Sequence, residues 1–297
     1  CSAFVTPQEI AEIAVAAEGC GFDVVAFVDH VSHPETISAP YTFSEDGIRP
    51  WNETAVWPEP WTMMSHVAAL TTRVEFMTAV YVLPLRNPAL VAQQVSTVSQ
   101  LANRRIYLGV GSGWSSDEFN MAQQSFEGRG KRIEEMIDVM RSLWQGEMVE
   151  HHGRHFDFDR LIMLPKPSEP IPILFGGDAD IILRRAARMG DGWISPPATI
   201  ADSLGTVARL RQLLEEEGRT DDSFEFVLTV TDGDNLDEVK RAIDAGVDNI
   251  ILTNPWLFEV FVSGGAVDDS AVEGKIDGVR RYAEKIIEPA KQFQKTR

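Results

Sequence analysis

Basic charge, cysteine and long apolar runs are all scarce in this sequence. Its 297 residues carry 27 Lys and Arg against 45 Asp and Glu, a formal net charge of -18, with no basic stripe anywhere. Nucleic acid is therefore not an expected partner, because it rewards clustered cations through counterion release. An anionic ligand would need a local cradle of backbone N–H groups or single arginines, since the overall field repels it. The only cysteines, Cys1 and Cys20, offer neither a metal-binding spacing nor a disulfide framework, and they imply a reducing cytoplasm. No apolar run reaches the ~20 residues of a membrane helix, and no signal-peptide pattern is present. A membrane role is not expected. The sequence starts at Cys1 rather than at methionine. A lipoprotein cysteine is disfavoured there, because a helix follows at once with no linker to reach from a membrane.

What the sequence has is alternation. Thr6-Pro7-Gln8-Glu9 is a capping box with proline at the first helical position, and Ile10, Ile13, Ala14 and Ala17 form the apolar stripe of the helix it starts. FDVVAFVDH then reads as a strand buried on both faces. The pattern repeats with a helix over Thr62 to Leu70, the strand RVEFMTAVYVL, and a helix from Pro88 to Leu101 capped by Asn87. After the strand RIYLGVG come a helix from Arg129 to Trp144, IPILFGG, a helix from Ala179 to Met189, GDGWISP and a helix from Asp202 to Glu217. FEFVLTV, a helix from Leu236 to Ala245, VDNIILTNP and a last helix from Asp277 to Phe293 complete the series. Seven buried strands alternating with helices, with no linker, predict an α/β fold of the (β/α)8 type over residues 1–297 as a single domain. Its first strand is expected before Ser2, within roughly ten further residues at the start, since an open seam would expose strand edges. A doubly wound open sheet is the alternative.

Two segments break the rhythm. Residues 146–170 include EHHGRHFDFD and predict a β-hairpin insertion. His151, His152 and His155 flank its turn on alternating faces, which argues against convergence on a metal. The other is Pro34 to Trp61, a segment without periodicity that carries Tyr41, Phe43, Trp51, Trp57 and Trp61 among Pro40, Pro50, Pro58 and Pro60. So long a loop inside a compact domain is either a lid or a surface loop packed on its own aromatics.

In a barrel the chemistry gathers where strands end on the C-terminal side. The residues expected there are Asp29 and His30, Ala79 to Val82, Ser112 to Trp114, Phe175 to Asp178, Trp193 to Pro196, Thr231 and Asp232, and Asn254 to Trp256. They include no glutamate pair for glycoside hydrolysis, no lysine for a Schiff base and no Ser-His-Asp order. Hydride transfer fits better, because a cofactor carries the reaction while the protein positions and polarises. Gly109, Gly111 and Gly113 weaken a strand unless another group must come close to the backbone, such as a flat ring or an anionic tail. A turn that needs glycine only for its own geometry is the alternative.

The segments VVAFVDH, TAVYVLPLRNPALVAQQVSTVSQLANRRIYLGVGSGW, IPILFGG and ARMGDGWISP, in this order from about Phe4 to Pro196, resemble the bacterial luciferase-like superfamily, in particular its oxidoreductases that use the 5-deazaflavin coenzyme F420. The resemblance implies a (β/α)8 barrel with an insertion, a homodimer, and a hydride passed between the deazaflavin and a small organic substrate. FMN-dependent monooxygenation and deazaflavin binding without turnover are the alternatives.

Carried over residue by residue, the resemblance makes Asp29 a cofactor contact and His30 the catalytic group beside the reacting carbon. It places a non-prolyl cis peptide at Ala79 to Val80 behind the ring, Ser112 and Gly113 against the ring, and Phe175, Gly176 and Gly177 near the ribityl and phosphate. Gly176 and Gly177 before a helix suit a phosphate, but Asp178 at the expected N-cap would compete for the same N–H groups. Trp114 stands where sugar-phosphate-oxidising members carry glutamate, which disfavours a sugar phosphate. Trp51, Trp57, Trp114 and Trp193 suggest an apolar or aromatic substrate face, or else core packing.

Overall fold

The computed structural model describes residues 5–42, 46–49, 51–103, 106–252 and 271–296. The expected strand before Ser2, the strand end at Asn254 to Trp256, and Phe43 lie outside the described residues. Seven parallel strands form one curled sheet: β1 (Val24–Phe27), β2 (Glu75–Thr78), β4 (Ile106–Gly111), β7 (Ile173–Gly176), β8 (Gly192–Ile194), β9 (Glu225–Val230) and β10 (Asn249–Leu252). Neighbours in this order pair in parallel, and the short β3 (Tyr81–Val82) adds to β4 with Tyr81 opposite Val110. The sheet is nearly closed, with β1 and β10 at its two ends. This is the α/β barrel architecture expected from the sequence.

Helices cover the outside: α1 (Pro7–Gly19), α2 (Pro60–Leu70), α3 (Pro88–Ala102), α5 (Arg129–Leu143), α6 (Asp180–Met189), α7 (Ile200–Glu216), α8 (Leu236–Asp244), α9 (Val272–Tyr282) and α10 (Glu288–Lys295). The short α4 (Ser116–Met121) follows β4 on the mouth side. The capping box of α1 forms as written, with Thr6 and Glu9 exchanging hydrogen bonds. The last helix, expected as one piece, is divided by a π turn at Ala283–Ile287. It returns the chain to its start, where the buried Lys275 ammonium lies 2.6 Å from Glu9 and Lys291 bridges to Asp23. The seam between β1 and β10 is thus covered from outside by α9 against α1.

Two layers of core result. The larger lies between the sheet and the helices, around residues such as Met64, Phe76, Leu108, Ile133 and Leu210. The smaller fills the barrel interior with Met77, Tyr107, Leu174, Ile194 and Val227, and Ala79 and Val80 pack on it half-buried. The segment read as one strand, RVEFMTAVYVL, is two short ones, because the peptide between Ala79 and Val80 is cis and turns the chain between β2 and β3.

Residues 146–170 do contain a hairpin, β5 (Val149–His152) against β6 (Asp157–Leu161). Its histidines take separate partners: His151 contacts Glu135 of α5, His152 contacts Asp157, and the His155 backbone N–H donates to Glu135. The Glu135 carboxylate thereby pins the hairpin to the barrel wall.

Glu18 at the end of α1 plays a similar part for the turn into β2, accepting from the backbone N–H groups of Thr72, Arg73 and Val74. Burial raises the pKa of this carboxyl, but the three N–H donors outweigh it and bring it from 4.5 down to about 2. A depressed carboxyl contributes stability that is fully present above pH 4.5 and is lost as pH falls through about 2. Glu18→Gln is expected to cost up to about 1.5–3 kcal/mol at pH 7, the range for hydrogen bonds to a charged group. Urea denaturation at pH 5 and at pH 2.5 should show a smaller difference for this variant than for wild type, and an equal difference would contradict the assignment.

Candidate active site

The mouth of the barrel is assembled from the ends of β1, β2 and β4. Past β1, Asp29 and His30 diverge. Asp29 is buried, and its carboxylate pairs with both Arg86 terminal nitrogens, at 2.5 and 2.8 Å, and accepts from the Val82 backbone N–H at 2.8 Å. Arg86 also lies over the Tyr81 ring, 4.2 Å from its centroid. Burial works against the Arg86 charge, and Asp29 outweighs it and raises the guanidinium pKa. Asp29, expected to contact a cofactor, has a side chain only 1% exposed that locks the end of β1 onto the start of α3 through Arg86.

His30 instead reaches the mouth. Its Nδ1 lies 3.2 Å from Oε2 of Glu118, and its Nε2 has no hydrogen-bond partner among the described residues. The His30 side chain is 13% exposed. Rings surround the imidazole: Trp57 edge-on at 4.7 Å, Trp51 at 5.2 Å and Trp114 at 6.2 Å between centroids. Tyr41 joins Trp51 and Trp114, at 5.1 and 5.2 Å.

The long loop therefore packs its own aromatics and covers His30 at the same time, and the two readings of it merge. His33 secures this cover, accepting from the Trp57 indole N–H at 2.6 Å with Arg49 beside its other nitrogen. Burial first, then the Arg49 charge, lowers the His33 pKa and keeps the ring neutral.

Glu118, on the first turn of α4, does not stand out in the sequence as a site residue, because acidity at that position is explained by the helix dipole alone. Its neighbour Asp117 holds the loop as well, accepting from both the backbone N–H and the hydroxyl of Ser38. The available signal was two carboxylates four and five residues past Gly113, immediately after a strand end.

The glycines of β4 are explained by protein, not by ligand. A Cβ on Gly109 would lie 1.9 Å from the Thr78 carbonyl oxygen, and one on Gly111 would lie 2.5 Å from Val80. Gly176 meets the opposite methyl of Val80 at the same 2.5 Å. Val80 thus sits wedged between Gly111 and Gly176 as a half-exposed apolar ledge. Gly113, at φ +75°, completes the turn, and its carbonyl accepts from Arg129. Ser112, half-buried between these two glycines, makes no side-chain hydrogen bond among the described residues.

Beyond β7 the structure departs further from expectation. Phe175 is a core side chain, 2% exposed, so only its backbone can line the mouth. The Gly177 N–H donates to the Ile194 carbonyl at 3.3 Å and is not free for a phosphate. Trp193 is not a substrate face: it is buried, and its indole N–H donates to the Gly177 carbonyl at 2.6 Å. The N-cap of α6 is Ala179 rather than Asp178, and no side chain caps the helix. Asp180, at its first position, is drawn to Arg184 at 2.7 Å. The N–H groups opening α6 are therefore not claimed by a side-chain cap, which suits an anion.

An apolar ledge, one proton-transfer group with an open nitrogen, an aromatic wall and an uncapped helix start suit a flat molecule with an anionic tail. Among the described residues no helix is long and apolar enough to span a membrane. The sequence profile described as luciferase-like monooxygenase matches residues 2–250. An uncharacterized protein of Mycobacterium tuberculosis is 35% identical over 275 residues, 93% of each chain. An F420-dependent glucose-6-phosphate dehydrogenase of Nakamurella multipartita is 31% identical over 232 residues, 75% of this chain and 62% of that enzyme. In fold, the coenzyme F420-dependent tetrahydromethanopterin reductase of Methanopyrus kandleri superposes with a TM-score of 0.69 at 13% identity, covering 96% of both chains. The chain belongs to the luciferase-like monooxygenase family.

Proposed function

We propose that this protein is a coenzyme F420-dependent oxidoreductase acting on a small organic substrate with an apolar or aromatic face. The observation that carries the reading is the make-up of the mouth: an apolar ledge at Ala79 and Val80 together with the imidazole of His30, while the carboxylates of Asp29, Asp117 and Glu118 are engaged by protein donors. Such a site needs a bound redox group to do chemistry. The identity to an F420-dependent dehydrogenase supports the choice of coenzyme.

When bound, the deazaflavin supplies the hydride donor or acceptor. Val80 would support its ring, with Ser112 and Gly113 at the ring edge, and the uncapped start of α6 would face its phosphate. His30 would give or take the accompanying proton at Nε2. Trp51, Trp57 and Trp114 would enclose the substrate and exclude water, and Asp29 would act at a distance by fixing Arg86 and the Val82 N–H. A sugar phosphate is disfavoured, because the nearby arginines are committed inward: Arg86 to Asp29, Arg49 to His33, and Arg129 to the carbonyls of Gly113 and Phe126.

The test mixes the protein with oxidised coenzyme F420 and a panel of small apolar and aromatic hydride donors, then repeats it with reduced coenzyme and the matching acceptors. Bleaching, or recovery, of the deazaflavin absorbance that requires the protein is expected. A coenzyme that binds but never changes redox state across both panels supports a carrier instead.

A further inference from the structure

We propose that Glu118 is a positioning residue that fixes the imidazole of His30 as its Nδ1–H tautomer, leaving Nε2 as the proton acceptor of the site. The inference deepens the assignment of His30 above and rests on it for its consequence in turnover, but not for its geometry. Both Glu118 oxygens are occupied by donors, Oε1 by the Val31 backbone N–H at 2.7 Å and Oε2 by His30 Nδ1 at 3.2 Å. An ionised carboxylate only accepts, so Nδ1 must carry the proton toward it.

Glu118 is 3% exposed, and burial raises its pKa. The bonds from His30, Val31 and Ser32 outweigh burial and hold it below the usual carboxylate range, so it stays ionised at neutral pH. The other charged or titratable groups around the pair are already engaged: His33 with Trp57 and Arg49, Asp117 with Ser38, and Asp29 with Arg86. Glu53 acts on His33 only at a distance.

Glu118→Gln separates positioning from packing. The amide has the same shape but one of its two acceptors becomes an NH2 donor. The Val31 N–H is fixed in the backbone and makes the shorter bond, so it retains the amide oxygen, and the NH2 falls against His30 Nδ1. Only the imidazole can adapt, by moving its proton to Nε2. In the Ser-His-Asp triad the equivalent Asp to Asn exchange lowers turnover about 10⁴-fold by the same tautomer error.

Long-range ¹H–¹⁵N correlation spectra of histidine-labelled, coenzyme-free protein at pH 8 read the tautomer directly, with His30→Asn used to assign the signal. The expected result is Nδ1–H in wild type and Nε2–H in Glu118→Gln. In that variant kcat should fall about 10²-fold or more while KM and the coenzyme Kd change by less than about threefold. Wild-type His30 in the Nε2–H form, or a Glu118→Gln protein that keeps the wild-type tautomer, overturns the proposal. Should the variant fail to fold, the wild-type spectrum decides alone. Should coenzyme F420 not bind, the spectra still decide, and only the functional reading above falls.

Discussion

Gly109→Ala is expected to yield little or no folded protein. The added methyl carbon would sit 1.9 Å from the Thr78 carbonyl oxygen, 2.5 Å from the Ile194 side chain and 3.1 Å from the Thr78 carbonyl carbon. Two of these three neighbours are backbone of the paired strand β2. The Thr78 hydroxyl, which donates to the Gly109 carbonyl at 2.8 Å, ties the two strands together at the same point. Relief therefore requires β2 and β4 to separate in the middle of the sheet. Overpacking of a core costs about 1–3 kcal/mol when side chains can give way, and here backbone must move, which places the cost beyond about 4 kcal/mol. Gly205→Ala is the matched control: this exposed glycine lies inside α7 with nothing within 4 Å of the added carbon. Filling it should raise stability by about 1 kcal/mol. Thermal denaturation of the soluble fractions separates the two, and a Gly109→Ala protein that melts with wild type would contradict the packing described for the mouth.

His30→Ala should remove about 10²–10⁴-fold from kcat, the range for loss of a placed general acid or base. The ring is the one group at the mouth with an open proton-transfer nitrogen among the described residues, while Glu118 behind it is spent on His30 and Val31. Because the ring also fills the space between Trp51, Trp57 and Trp114, His30→Asn is the better companion, keeping bulk and polarity but not basicity. Both variants should bind coenzyme with nearly unchanged affinity. Steady-state kinetics with turnover unchanged in either variant would remove His30 from the chemistry.

The barrel was legible in the sequence because its signals are local. The capping box of α1, proline at first helical positions and continuous apolar strands such as VVAF each follow from neighbouring residues, and the helices begin within about two residues of expectation, except that the last starts five earlier and is divided by a π turn. The surroundings of His30 were half legible. Three of the four tryptophans do meet there, yet nothing in their spacing distinguishes them from Trp193, which serves the core. What could not be read was pairing at a distance: Asp29 with Arg86 is 57 residues apart and His30 with Glu118 is 88. The glycines misled for a related reason. A close approach to backbone is legible there, but the approaching groups are the Thr78 carbonyl and the Val80 methyls, supplied by the end of β2 and the turn after it, some thirty residues before Gly109 and Gly111.

The central claim is that the Val80 ledge and the His30 wall together form a deazaflavin site, and the most direct test is a titration of the purified protein with coenzyme F420 and, separately, with FMN. Tryptophan fluorescence should report it, since Trp51, Trp57 and Trp114 border the mouth. Saturable binding of coenzyme F420 is predicted at one per chain with Kd near or below about 1 μM, equivalent to about -8 kcal/mol, and at least about tenfold tighter than FMN. Tighter binding of FMN, or no saturable binding of coenzyme F420, would contradict it.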